Sequence, residues 1–364
     1  MLIDIIAGAR PNFVKIAPII SAIKEAQKNG NDIDYRLVHT GQHYDPKMSG
    51  SFFEQLEIPL PDVNLEIGSG TQAEQAAGIM VKYEKLLLER PCEYCLVVGD
   101  VTSTMATSIA AKKLGIKVIH VEAGIRSGDL SMPEEINRMV TDSITDYFFT
   151  TTELAGQNLI KLGIQEDRIF FVGNTMIDTL IRQLPNLRKP EFFDEFGLVE
   201  KQYIVMTLHR PSNVDEAEKL KVLLDAVLAA AKDTKIVFPV HPRTAKKLQE
   251  MGFESKQINF VEPMGYLEFN YLVKNAMVII TDSGGITEET TVMGVPCMTL
   301  RTSTERPETC LIGTNALLGT DPKAIKPAMD LLFSGNWKKG GIPEKWDGNT
   351  SKRIVEELLM FKNI

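Results

Sequence analysis

The residues of this chain that could do chemistry sit in short clusters, each just after a run of apolar and β-branched residues. Arg10 follows Leu2-Ile3-Asp4-Ile5-Ile6 within the turn Gly8-Ala9-Arg10-Pro11, and Lys15 comes about one helical turn later. Asp100 follows Cys95-Leu96-Val97-Val98-Gly99 and, after Val101, leads into the hydroxyl residues Thr102-Ser103-Thr104. Glu122 closes Val118-Ile119-His120-Val121, and Met132-Pro133-Glu134-Glu135-Ile136-Asn137-Arg138 supplies Glu134 and Arg138 soon after. The second half repeats the habit with His209-Arg210, His241-Pro242-Arg243, Asp282-Ser283-Gly284-Gly285 leading to Glu289, and Thr304-Glu305-Arg306-Pro307-Glu308. Carboxylates so placed suit general acid–base work, and Arg and His beside glycine-rich turns suit an anion.

Taken singly, Asp100 or Ser283 is equally explained as a helix cap, and Lys15 as a solvated charge. Jointly they are harder to explain by structure alone, because both halves place Arg, His and carboxylates at the same kind of position. Ser283-Gly284-Gly285 is the best phosphate candidate: glycines let the backbone approach an anion, and the N–H groups of the next helix point at it. Glu289, one turn further in, could reach the vicinal hydroxyls of a ribose. Gly68-Ser69-Gly70-Thr71 mimics a dinucleotide fingerprint, but Thr71 with Glu74 is better explained as a capping box opening a long helix. The five histidines show no HxH or HExxH spacing, so no metal site is expected. His120 fits a satisfied core residue, whereas His209 and His241 suit phosphate contact or proton transfer.

The elements that must position these groups alternate. Strands are expected at residues 2–6, 35–39, 95–98, 117–121, 147–150 and 169–172, then at 203–207, 235–240, 258–261, 277–281 and 297–300. Amphipathic helices are expected over 14–28, 71–89 and 217–231, among others. Continuous apolar strands between helices imply parallel sheets covered on both faces. The expected fold is therefore α/β: two Rossmann-like, doubly wound parallel-sheet domains facing a central cleft. The boundary is expected at 168/169, although the rhythm itself pauses at 183–202. A last helix from 351 is expected to return to the first domain.

At 364 residues the chain exceeds what one core usually supports, which also favours two domains. It has no apolar run of 18 residues and no basic-then-apolar leader, so a cytoplasmic protein without a membrane segment is expected. Forty basic against 48 acidic residues leave a net charge of −8, which disfavours nucleic acid as a partner. Of the four cysteines, Cys92 and Cys95 form a lone CxxC just before a strand, and buried thiols are expected.

Together, Gly8-Ala9-Arg10-Pro11, Gly99-Asp100, His120-Val121-Glu122-Ala123-Gly124, the Met132–Arg138 segment, Gly173-Asn174-Thr175, His209-Arg210, Thr281–Gly285 and Thr304–Glu308 resemble the non-hydrolysing UDP-N-acetylglucosamine 2-epimerases, in order and over essentially the whole chain. That resemblance implies a GT-B-like arrangement, a homodimer, a UDP-sugar substrate and no cofactor, neither metal nor nicotinamide. It implies that Arg10, Ser283, Gly284, Gly285, Glu289 and Arg306 hold UDP, with Phe269 near the uracil. It assigns chemistry to Asp100, Glu122, Glu134 and His209, with Lys15 and Arg138 as supporting cations.

Three rivals stand beside it. A hydrolysing epimerase would release N-acetylmannosamine and UDP, but the hydroxyl run after Asp100 favours the non-hydrolysing type. The His39–His43 segment resembles epimerases of diacetamido uronic acid nucleotides, whereas Thr304–Glu308 resembles the plain N-acetylglucosamine branch. A glycosyltransferase or a silent sugar-nucleotide-binding module would not need three carboxylates around the sugar. One departure concerns activation by a second substrate molecule. Gln42 and His241 match that pattern, but Asp45 replaces a second glutamine, residues 67–72 lack an arginine, and Pro211 follows Arg210. Weak or absent substrate activation is expected.

Overall fold

A computed structural model of the protein describes residues 1–41, 53–240 and 242–361, the side chains of residues 10, 211, 212, 242 and 243 excepted. The chain divides into two units, residues 1–182 with 344–364, and residues 183–343. Unit 1 holds strands β1 (Leu2–Ala7), β2 (Asp34–His39), β3 (Val63–Asn64), β4 (Tyr94–Val98), β5 (Lys117–Val121), β6 (Tyr147–Thr150) and β7 (Ile169–Phe171). Its helices are α1 (Arg10–Lys28), α2 (Gln72–Glu89), α3 (Thr102–Lys113), α4 (Pro133–Ile144), α5 (Glu153–Lys161) and α6 (Thr175–Gln183). The sheet is wholly parallel, in the order β3-β2-β1-β4-β5-β6-β7.

Unit 2 holds β8 (Tyr203–Thr207), β9 (Lys235–Pro239), β10 (Ile258–Val261), β11 (Val278–Thr281), β12 (Cys297–Thr299) and β13 (Asn315–Leu317). They too are parallel, in the order β10-β9-β8-β11-β12-β13. Its helices are α7 (Phe192–Glu195), α8 (Pro211–Val214), α9 (Ala217–Ala230), α10 (Pro242–Glu250), α11 (Tyr266–Asn275), α12 (Gly284–Met293), α13 (Pro307–Leu311) and α14 (Ile325–Phe333). A final helix, α15 (Thr350–Phe361), belongs to unit 1.

The two-residue period of a strand explains why the strand runs are apolar throughout. In unit 2, Ile204, Met206, Ile236, Phe238, Val278, Ile280 and Met298 join one buried cluster. Their neighbours Tyr203, Val205, Val237, Ile279 and Cys297 join the other, on the opposite face. Unit 1 carries a buried polar cluster at the middle of its sheet. Asp4, fully buried, receives Arg36 Nε and Nη2 at 2.8 and 2.7 Å and the Tyr83 hydroxyl at 3.0 Å. Arg36 Nη1 donates to the carbonyl of Arg90 at 2.9 Å, so the buried pair is well supplied with partners.

Thr71 and Glu74 form the expected capping box at the start of α2, with bonds of 3.2 and 2.8 Å. Cys92 and Cys95 are buried free thiols. The expected boundary at 168/169 is corrected to 182/183: β7 pairs with β6, so residues 169–171 complete the first sheet. The second departure is at the other end, where the chain rejoins unit 1 at Glu344. Trp346 Nε1 donates to the carbonyl of Thr151 at 3.1 Å, α15 packs on α1, and Phe361 stacks on Tyr147 at 4.0 Å.

The hinge of this return is Asp178 of α6. Its buried carboxylate accepts the N–H of Thr350 at 3.0 Å and of Ser351 at 2.6 Å, capping α15 from a distant helix. Asp178→Ala leaves both donors buried without a partner and is expected to cost about 1–3 kcal/mol, read from the midpoint of urea unfolding.

Candidate active site

Parallel sheets whose order reverses leave a crevice outside the carboxyl ends of the two strands at the reversal. In unit 1 that point lies between β1 and β4. Ala9, at the N-cap of α1, has no side chain with which to cap it, and Asn12 of α1 takes over. Its Oδ1 accepts the N–H groups of Gly8 and Ala9, both at 3.0 Å, and its Nδ2 donates to the carbonyl of Val98 at 3.1 Å. One side chain thus fastens the turn after β1 to the end of β4. Arg10 is the first residue of α1.

Lys15, on the same helix, forms an ion pair with Glu122, and both are under a tenth exposed. Glu122 has φ +78°, an unusual backbone conformation for a residue with a side chain. It is held there because the N–H groups of Glu122 and Ala123 both donate to the carbonyl of Phe149, at 2.9 and 3.1 Å. Gly99 leaves room for the pair. It has φ +67°, and a Cβ there would lie 2.8 Å from Lys15 Nζ and 3.6 Å from Glu122 Oε2.

Asp100 does not cap α3, whose N-cap position is Val101. Its Oδ2 instead receives Arg138 Nε and Nη2 at 3.0 and 2.7 Å, and its carbonyl receives Asn137 Nδ2 at 2.8 Å. Arg138 is buried and also pairs with Glu135, which accepts the N–H groups of Ser127 and Gly128 at 3.0 and 3.1 Å. Burial pushes the Glu135 carboxyl up, but those N–H groups and Arg138 outweigh it and hold it below the usual range. Glu134, the second residue of α4, is half-buried and makes no hydrogen bond or ion pair among the described residues. Of the hydroxyl run, Ser103 fills the space against Gly8 and Thr104 donates to the carbonyl of Val98 at 3.0 Å.

Behind these groups lies His120, fully buried, with Nδ1 2.7 Å from Asp142 Oδ1 and Nε2 2.8 Å from the carbonyl of Gly99. Asp142 Oδ2 takes the N–H of Gly124 at 3.1 Å and Arg126 Nη1 at 2.7 Å. Burial raises the Asp142 carboxyl, yet His120 and Arg126 prevail and keep it low, hence ionised. A carbonyl can only accept, so it is Nε2 that donates to Gly99.

In unit 2 the reversal lies between β8 and β11. Asp282, fully buried after β11, accepts the N–H of His209 at 3.1 Å, the N–H of Arg210 at 2.9 Å and Asn213 Nδ2 at 3.0 Å. It also lies 2.8 Å from His209 Nδ1, while the rest of that ring is exposed. Burial acts to raise Asp282, but His209 and these donors hold it below the ordinary range. With Nδ1 so engaged, the outer nitrogen of this exposed ring is left open to another partner. Ser283 occupies the N-cap position of α12 but makes no capping bond, so its hydroxyl is available for another partner. Gly284 and Gly285 begin that helix. A Cβ at Gly284 would meet Glu305 Oε1 at 2.4 Å, and Glu305 is itself held by Arg301 Nη2 at 2.7 Å.

Glu288 and Glu289 then divide the work. Glu288 grips Arg306 Nε at 2.6 Å, both buried. Glu289 accepts the Tyr266 hydroxyl at 2.8 Å and Asn270 Nδ2 at 3.5 Å, both on Oε1. Burial pushes its carboxyl up to about 7, against the pull of those two donors. Phe269, half-buried on the same face of α11, packs against the adjoining apolar cluster. Gln42, Asp45 and His241 lie outside the described residues. Among the described residues, no group of three His, Cys, Asp or Glu is arranged to hold a metal ion. Asn12, Asp142 and Asp282 are the functional positions that sequence reasoning passed over, the last although it stands inside a quoted motif.

A family model described as UDP-N-acetylglucosamine 2-epimerase matches residues 24–359. A UDP-N-acetylglucosamine 2-epimerase of Methanocaldococcus jannaschii is 42% identical over the full length of both chains. A crystal structure of that organism's UDP-GlcNAc 2-epimerase in complex with UDP-GlcNAc and UDP superposes with a TM-score of 0.87, at 42% identity, covering 99% of this chain and 100% of the other. A UDP-2,3-diacetamido-2,3-dideoxy-D-glucuronate 2-epimerase of Pseudomonas aeruginosa is 36% identical over 98% of this chain and 99% of its own.

Gly99→Ala tests the cradle around Lys15 and Glu122. The new methyl would force a side chain into a left-handed backbone conformation and press on the buried ammonium. A loss of about 1–3 kcal/mol is expected by denaturant unfolding.

Proposed function

The chain belongs to the UDP-N-acetylglucosamine 2-epimerase family, and on that premise we propose that it interconverts UDP-N-acetylglucosamine and UDP-N-acetylmannosamine without hydrolysis, by eliminating and re-adding UDP through a 2-acetamidoglucal. The observation that carries the reading is the set of three carboxylates that follow β4, follow β5 and open α4, each in a different setting. Glu122 is paired with Lys15, Asp100 with Arg138, and Glu134 stands without a partner among the described residues.

The C2 hydrogen of the sugar is not acidic, because no carbonyl adjoins it. If the C1–O bond breaks first, UDP leaves with the electron pair and the cationic C1 makes the C2 proton removable. Loss of that proton to a carboxylate forms the C1–C2 double bond. Return of a proton to the opposite face of C2 and attack of UDP oxygen on C1 complete the epimerisation. Asp100, Glu122 and Glu134 supply the base and the acid, each step contributing roughly 10²–10⁴-fold. Lys15, Arg138 and His209 stabilise charge as it develops on the leaving diphosphate and on the carboxylates.

Unit 2 takes the nucleotide. The N–H groups at the start of α12, the free Ser283 hydroxyl, Arg306 and Arg10 bind the diphosphate. Glu289 accepts the ribose hydroxyls on the oxygen that Tyr266 and Asn270 leave open, and Phe269 flanks the uracil. The higher identity to the N-acetylglucosamine relative than to the diacetamido uronate relative, 42% against 36%, supports the plain sugar. The family resemblance supports a homodimer.

Incubation with UDP-N-acetylglucosamine in D₂O, followed by NMR at C1 and C2, is expected to give intact UDP-N-acetylmannosamine with deuterium at C2. Free N-acetylmannosamine with UDP would move the protein to the hydrolysing type, and no change would exclude the plain sugar as substrate. A second test concerns Glu289. Ribose hydroxyls donate to its ionised form, whereas the free carboxyl is held up to about 7 by burial. Binding therefore favours loss of the proton: affinity for UDP-N-acetylglucosamine is full above pH 7 and falls as pH drops through 7, by at most about tenfold per unit. Calorimetric titration is expected to show this slope, and Glu289→Gln to bind more weakly with no slope.

A further inference from the structure

The buried histidine behind the first sheet edge has no place in the reaction written above, yet its bonds meet both loops that carry the reaction. We infer that His120 is a positioning residue, whose ring fixes the Gly99-Asp100 turn against α4 and thereby sets where the Asp100 carboxylate stands. The inference rests on the epimerase reading for its assay, not for its geometry.

His120 lies on β5 and reaches sideways to the neighbouring loop. Its Nε2 donates to the carbonyl of Gly99, the peptide oxygen immediately before Asp100, at 2.8 Å. Its Nδ1 lies 2.7 Å from Asp142 Oδ1 of α4. The same Asp142 holds Gly124 N–H and Arg126, two and four residues past Glu122. A rigid ring therefore stands between α4 and the two turns that present Asp100 and Glu122. The Asp100 side also receives Asn137 and Arg138 from α4, so that turn is tied to one helix through three points.

The Gly99 turn needs such a tie. Its φ of +67° and the ion pair packed against its Cα leave it no side chain of its own to hold it. A carbonyl free to rotate would swing the next residue, and a displacement of about 1 Å at a reacting group can cost on the order of 10²-fold in rate. Because His120 is fully buried and offers no surface to a ligand, its loss should change turnover and leave nucleotide affinity alone.

Two variants divide the two bonds. His120→Gln places an amide N–H near the position of Nε2 and keeps the link to Gly99. His120→Asn places one nearer Nδ1 and keeps only the link to Asp142. Expected for His120→Asn is a fall in kcat of about 10²-fold, with KM and the dissociation constant for UDP unchanged. His120→Gln recovers most of the rate. Asp178→Ala, a destabilised variant of the same unit far along the chain, serves as the control and keeps its kcat.

Full activity of His120→Asn overturns the inference, and so does an equal loss in both variants that merely follows their stability. If neither folds, the wild type still decides: ¹⁵N NMR of histidine-labelled protein must show one ring whose Nε2 proton exchanges slowly, and five rings whose Nε2 protons all exchange freely overturn it. The wild type runs in every assay. Failure of wild-type C2 exchange sinks the epimerase reading, whereas intact wild-type exchange with an indifferent His120→Asn sinks only the positioning role.

Discussion

In a wholly parallel sheet every strand finishes at the same edge, and the rest of this molecule is arranged around that constraint. Both faces of each sheet are covered by helices, so both are largely apolar, and apart from fully partnered groups such as Asp4 with Arg36, polar groups gather at the edges. At the carboxyl edge the chain leaves the sheet and turns into a helix, which brings a row of unsatisfied N–H groups and a short stretch of irregular backbone to one place. Chemistry needs directed polar groups, and this is where the architecture supplies them without interrupting the core. Each unit meets the constraint alone, with its own reversal of strand order and its own cluster of Arg, His and carboxylates.

A second constraint follows from the first. Groups crowded at a sheet edge are partly out of water, and a lone charge there would be costly. Most of the buried charges described accordingly come in sets: Lys15 with Glu122, Asp100 and Glu135 with Arg138, Asp142 with His120 and Arg126, Glu288 with Arg306. Such pairs add little to stability, since desolvation offsets most of their attraction. What they contribute is geometry. A carboxylate held by a buried guanidinium is already oriented before a substrate arrives, so no reorganisation is needed during the reaction. The positive φ of Glu122, fixed by two bonds to one carbonyl, shows backbone strain maintained for the same end.

Sequence reasoning reached elements that carry their own pattern and missed those defined by a neighbour. Strands such as Tyr94–Val98 and Tyr203–Thr207 were legible because four or five apolar residues in a row have few other uses. β3, of two residues, and β13, Asn315–Leu317, have no pattern and exist only because an adjacent strand offers bonds. α1 begins at Arg10, with proline at its second position marking the start, four residues before the amphipathic pattern itself becomes legible at Val14. The domain boundary was misplaced because β7 resembles any other short strand until its pairing with β6 is seen. In the site, residues that present a charge at a strand end stood out. Asn12, Asp142 and Asp282 did not, because each acts on a partner 86, 22 or 73 positions away.

The settings of the carboxylates also explain how one residue type can fill opposed roles. Asp142 and Asp282 are among the most buried acids in the chain, yet both are held ionised by several donors. Glu289 is equally enclosed but has only a phenol and a distant amide, and it sits near 7. Burial alone would raise all three; the number of donors decides which remain charged. The proposed reaction requires one carboxylate to receive a proton from one face of C2 and another to return one from the other face. Identical environments would leave two bases and no acid. Asp100 under a guanidinium, Glu122 against an ammonium and Glu134 with neither are therefore the kind of unequal set that such an exchange of protons demands.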